Sequence, residues 1–297
     1  MHSFLRAVGL SELKTGSDLN RILRRLAGSR PDEYVTREKH GAAYGERLYS
    51  LSDRTGLMVR GEYDRSGRFV RDYSLPFVKG MQESLCEYIS VEKQSDRDSY
   101  LGIAEDSGLG IPLVFYLLNA ADYLDRGEAA EGVKLPVRLA GLSTYGKIVL
   151  PVRGKTAAGT AKKEKPGRAA REEGGEDHLQ GPDSLMLDYF DAYTKVLQRI
   201  RNEDILSISK SYFMPCGIAS DRYSVMGEIL NIEESENVLT GETSYILTID
   251  SNDIILDVCI NTADLLGEPL TGRRFRGDIW LTGEVDYGVA EQGLDNL

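Results

Sequence analysis

The chain has 297 residues, is 41% apolar and 28% charged, and carries a formal net charge of -11; this length exceeds what one core usually fills and points to two cores joined by a linker. No apolar run approaches the roughly 20 residues of a membrane span, and Met1-His2-Ser3-Phe4-Leu5-Arg6 lacks the charged-then-apolar pattern of a signal peptide, so a cytoplasmic protein without a membrane partner is expected. Residues 1–221 hold 32 basic and 32 acidic side chains and residues 222–297 hold 4 and 15; such an acidic C-terminal part disfavours binding to a nucleic-acid backbone, which depends on Lys and Arg.

In chain order, Ser17 is placed to cap a helix whose Leu19, Ile22, Leu23 and Leu26 follow helical spacing, with Gly28 past its end. The opposite face carries Arg21, Arg24 and Arg25, read as a solvated face pairing with acids. Strand signals then dominate at Tyr34-Val35, Arg47 to Tyr49, Leu57 to Tyr63, Phe69 to Tyr73, Tyr88 to Val91, Leu101 to Ile103 and Leu113 to Leu117, with a hairpin connection at Asp64-Arg65-Ser66-Gly67. A short helix over Ala120 to Leu124 precedes two strands, Val133 to Leu139 and Lys147 to Val152, expected to form a hairpin around Leu142 to Gly146.

Residues 154–182 have one large apolar side chain, Leu179, and cannot offset their ordering entropy, so they are read as a flexible linker. Met186, Tyr189, Phe190, Tyr193, Val196, Leu197 and Ile200 then keep helical spacing, giving a long amphipathic helix over 183–221. In the last part, Tyr245, Leu247 and Ile249 share one strand face, Asp250 to Asp253 turn, and Ile254, Leu256, Val258 and Ile260 share the returning face. The expected class is therefore α+β. A strand-rich domain over 1–153 is followed by the linker, the long helix and an acidic module over 222–297 folded as a small antiparallel β-barrel resembling the oligonucleotide/oligosaccharide-binding fold.

Chemical signatures are sparse. Gly141-Leu142-Ser143-Thr144-Tyr145-Gly146-Lys147 has the spacing of a phosphate-cradling loop, but Ile148 replaces the Ser or Thr that would hold magnesium and a strand follows where a helix is needed, so no nucleotide site is expected. His2, His40 and His178 form no ligand pair, and Cys86, Cys216 and Cys259 fit neither a disulfide framework nor a paired metal site. No catalytic residue, metal site or cofactor is expected.

The last strand offers the one candidate contact surface. Alternation puts Phe275, Ile279, Leu281, Val285 and Tyr287 on the core side and leaves Arg274, Arg276, Asp278 and Trp280 on the outer side. An exposed Trp280 beside Arg274 and Arg276 suits a protein contact or a flat anionic ligand. Set against this is a structural reading in which the long helix covers Trp280 and the arginines pair with acids such as Asp257 or Glu284.

Three stretches carry a family resemblance: Met1 to Gly9, Asn261-Thr262-Ala263-Asp264-Leu265-Leu266-Gly267-Glu268-Pro269, and Gly272 to Leu281. They resemble an uncharacterised family of clostridial Gram-positive bacteria, which implies a bacterial cytoplasmic context and no activity, cofactor or functional residue. The expectation from sequence is a non-catalytic cytoplasmic binding or scaffolding protein with a protein partner and an open oligomeric state. The alternative is an enzyme or small-ligand sensor with a site in the cleft between two domains.

Overall fold

Alternating apolar residues and short turns carry the chain into strands throughout the computed structural model, which describes residues 3–37, 43–94, 99–105, 108–130, 132–150, 211–217 and 220–288. A 3-10 turn, Ser3–Val8, precedes α1 (Gly16–Leu26), β1 (Asp32–Arg37), β2 (Ala43–Ser50), β3 (Thr55–Tyr63), β4 (Phe69–Val78), β5 (Leu85–Lys93), β6 (Tyr100–Ala104), β7 (Leu113–Leu117), α2 (Ala120–Arg126) and β8 (Lys134–Val149). The later strands are β9 (Tyr212–Pro215), β10 (Arg222–Glu236), β11 (Thr243–Ser251), β12 (Ile254–Asn261), the two-residue β13 (Leu265–Leu266) and β14 (Arg274–Val285).

Four strands, β1-β2-β3-β4, form an antiparallel sheet of their own. The remaining strands form one sheet whose pairing closes twice around a shared long pair, β8 with β14. One ring runs β8-β5-β6-β7-β14 and the other β8-β12-β11-β10-β14. Apolar residues from both rings make a continuous core that includes Phe115, Leu139, Val225, Leu247, Val258, Phe275, Ile279 and Leu281. A second core lies along the seam with the four-stranded sheet and draws in Phe4, Leu5, Leu23, Leu57, Phe77, Tyr116, Leu142, Ile246 and Trp280.

These pairings correct the expected α+β class. Strands take 56% of the described residues and helices 14%. Among the described residues the longer α-helix is α1, 11 residues, and no long amphipathic helix occurs. Residues 154–182 and 183–210, where the linker and most of the long helix were expected, lie outside the described residues, while Tyr212–Pro215 within the expected helix is strand β9. The expected self-contained antiparallel barrel over 222–297 is also corrected. Its strands close a ring only with β8 from before residue 150, and the β12–β8 pairing is parallel. Residues 1–151 and 211–297 accordingly form one compact unit.

Two local corrections have clear causes. The hairpin expected around Leu142 to Gly146 is one 16-residue strand. Its glycines are there for close approach rather than for a turn: a Cβ on Gly141 would lie 2.9 Å from Ile279 Cδ1, and one on Gly146 would strike the Phe275 ring. At α1 the cap is Thr15 rather than Ser17. The Thr15 hydroxyl accepts from Asp18 N while the Asp18 carboxylate accepts from Thr15 N at 3.0 Å, a reciprocal capping box.

Candidate functional site

On β14 the odd-numbered side chains enter the ring core, as alternation requires, and the even-numbered ones face the seam or the surface. Trp280 is 4% exposed. Its ring lies 5.8 Å from Phe4 and 5.1 Å from Tyr116, and its Nε1 donates to Asp221 Oδ2 at 2.7 Å. The cover is thus the N-terminal 3-10 turn rather than a long helix. Arg274 is 5% exposed, and its Nε and Nη2 donate to the Leu150 carbonyl at 3.2 and 2.8 Å. Burial holds its guanidinium below the ordinary value. Arg276 is half-buried and donates from Nε to Tyr212 Oη at 3.0 Å. Arg274, Arg276 and Trp280 are therefore anchored individually and do not join in an exposed patch.

A set of residues that the sequence did not single out crosses the four-stranded sheet. Strand register sets Tyr34, Glu46, Arg60 and Tyr73 side by side on β1 to β4. Arg60 is fully buried and Glu46 is 2% exposed. Arg60 Nη2 lies 2.8 Å from Glu46 Oε1, and its Nη1 donates to Tyr116 Oη at 2.7 Å and Tyr73 Oη at 3.1 Å. Nη2 also reaches the carbonyls of Leu117 and Leu118. Tyr44 donates to Glu46 at 3.0 Å, and burial raises the Glu46 carboxyl against the pull of Arg60. Burial likewise raises the Tyr44 and Tyr116 hydroxyls. This network ties β2 and β3 to β7, and only Arg60 Nε in it is buried without a hydrogen-bond partner. The flanking run Leu57-Met58-Val59, entirely apolar, was the sequence signal that Arg60 enters a core.

A second buried carboxylate, Asp257, accepts from Thr248 Oγ1 at 2.6 Å, from Met81 N at 2.9 Å and from Arg54, which also reaches Glu233 at 2.8 Å. It does not pair with the arginines of β14. Gly141 to Lys147, the phosphate-loop look-alike, lies within β8 and opens no helix. Among the described residues no three His, Cys, Asp or Glu side chains gather as metal ligands, and no helix is long and apolar enough to cross a membrane. The three histidines lie outside the described residues.

Open concavity occurs between α1 and β4. A depression of about 520 Å3 is lined by Asn20, Leu23 and Arg24 of α1, by its C-cap Ala27, and by Arg71 of β4. Asn20 holds both guanidiniums: its backbone carbonyl accepts from Arg24 Nε at 3.3 Å, and its Oδ1 accepts from Arg71 Nη2 at 2.8 Å. Leu23 is buried at the floor, while Arg24 and Arg71 are exposed at the walls. A β-bulge between Arg60 and Gly61 leaves Asp72 of β4 unpaired next to Arg71. Arg21 pairs with Asp18 one turn earlier at 2.7 Å, whereas no carboxylate among the described residues lies within ion-pair distance of Arg24 or Arg71.

The fold and these sites define a strand-built protein with two rings sharing one strand pair, a buried charge network and an open, arginine-walled depression. The chain belongs to the family described as a domain of unknown function from E. rectale, a clostridial bacterium (DUF3881), whose pattern matches residues 5–283. That span takes in strands on both sides of residues 151–210. Neither a curated protein nor a solved structure matches the chain.

Proposed function

We propose that this is a non-catalytic binding or scaffolding protein of the bacterial cytoplasm, and that the depression between α1 and β4 is its contact surface for a protein partner. The observation that carries the reading is Arg24 and Arg71 flanking an apolar floor, each oriented by Asn20 and neither neutralised by a carboxylate of the described chain. Arginines at the edge of a concave apolar patch are the residue type that concentrates binding energy in protein contacts. The buried carboxylate of Glu46, raised by burial, sits instead inside a network that packs two layers together, which suits a structural duty. Three unpaired cysteines agree with a reducing compartment, and the -11 net charge agrees with an absence of duplex nucleic acid among the partners.

The test is affinity purification from the native cell with the wild-type chain and with Arg24→Glu/Arg71→Glu. The reading expects specific proteins to co-purify with the wild type and to be lost from the variant, with both chains melting alike. An unchanged set of co-purifying proteins would exclude the depression as the contact surface.

A further inference from the structure

Within that reading of the depression, the structure also indicates what chemistry binds there: we infer that it takes an acidic peptide segment, with an apolar side chain on Leu23 and Ala27 and carboxylates on Arg24 and Arg71. The whole chain carries 47 acidic against 36 basic side chains. Several guanidiniums are held by acids of the same chain. Arg6 with Asp264, Arg47 with Glu33, Arg54 with Asp257 and Arg273 with Glu268 all show it. Arg24 and Arg71 have no such partner among the described residues, which they share with the exposed Arg25, Arg30, Arg65 and Arg68; what sets the pair apart is that they stand on separate elements and line one apolar depression together.

Their geometry is that of a prepared site. Asn20 uses one donor of each guanidinium, Nε of Arg24 and Nη2 of Arg71, and so fixes both side chains at reduced entropic cost. The remaining N–H groups are fork donors suited to bidentate carboxylates. Asn20, Leu23, Arg24 and the C-cap Ala27 recur at three- and four-residue intervals, so the floor and one wall belong to a single stripe of α1 and its cap. The floor is apolar, which calls for an anchor side chain between the two charges. A peptide meets both demands, with acidic residues flanking a Leu or Ile. A duplex nucleic acid brings no apolar side chain for the floor.

The experiment uses the full chain and two fluorescein-labelled peptides, one built on Glu-Leu-Glu and one on Gln-Leu-Gln, read by fluorescence anisotropy at low salt and at about 0.5 M salt. The expected result is saturable binding of the acidic peptide, weaker by about tenfold or more for the Gln peptide, for Arg24→Glu/Arg71→Glu and at high salt. Arg25→Glu, an exposed change on the same helix but outside the depression, makes half the charge change of the double variant and is expected to leave binding within about twofold. Equal binding of the two peptides, equal weakening by Arg25→Glu, or no binding of the acidic peptide would overturn the inference. So would duplex DNA binding more tightly than the acidic peptide and depending on Arg24 and Arg71. If the double variant loses native partners while the two peptides bind alike, the contact surface stands and only its assigned chemistry fails.

Discussion

The ring core and the seam are both buried, yet they are built from different materials. The rings enclose Phe115, Leu139, Val258, Phe275, Ile279 and Leu281, apolar side chains that alternate along their strands. The seam mixes Leu57, Leu142 and Phe77 with an indole hydrogen-bonded to Asp221 and with a buried Arg60–Glu46 pair. A ring closes through backbone ladders, so its interior needs only volume and shape. Among the described residues no strand ladder joins the two sheets across their seam, and buried polar groups can fix how they register, at the cost of desolvating them. The difference predicts that the seam depends on a few specific residues and that the rings depend on fit.

The largest effect should come from Trp280→Ala, which opens a cavity between Phe4 and Tyr116 and leaves Asp221 without its indole donor. A loss of about 3 to 5 kcal/mol is expected in chemical denaturation; a loss below about 1 kcal/mol would show that the N-terminal turn does not seal the seam. Glu46→Gln keeps the shape but leaves Arg60 as an uncompensated buried cation, for an expected cost of about 3 kcal/mol. Replacing both, Arg60→Met with Glu46→Leu, should recover much of that loss. A double variant as unstable as the sum of its singles would show that the two charges act independently.

The ring side is tested by Gly146→Ala. Its methyl would collide with the Phe275 ring across the β8–β14 pair, and a cost of about 1 to 3 kcal/mol is expected. Unchanged stability would mean that the rings are less tightly fitted than the seam. The smallest effects concern thiols. Cys86 is exposed and should be modified by a thiol reagent in the native state, followed by half-buried Cys216, whose thiol burial pushes up to about 11. Cys259 should react only on unfolding, since it is buried against the Ala7 carbonyl with its thiol pushed up to about 12 by burial. Its folded value lies above the ordinary 9.0, so the stability linked to it is complete below about pH 9 and falls as pH rises toward 12. Cys259→Ala should flatten that alkaline decline; an unchanged slope would assign it to other groups.

Most strands were legible in the sequence because alternation and turn residues are local signals. The hairpins β3–β4 and β11–β12 fall at Asp64 to Gly67 and Asp250 to Asp253, where turn chemistry predicts them. β8 misled because glycine serves both turns and close packing, and only the Ile279 and Phe275 side chains opposite decide which. The arginine stripe of α1 was visible as Arg21, Arg24 and Arg25. Arg71, however, comes from a strand about fifty positions later, so the depression could not be read from the helix alone.

What the sequence by itself determined is which residues alternate inward, that the last strand has a polar and an apolar side, and the family that its end motifs resemble. What only the tertiary structure decided is what lies against each polar side. Alternation states that Trp280 faces away from the ring core, but whether that direction leads to water or to Phe4 depends on a segment more than 270 positions away. The closing of both rings through β8 and β14 is decided in the same way, by pairing between strands remote in sequence, for which a single chain carries no local sign.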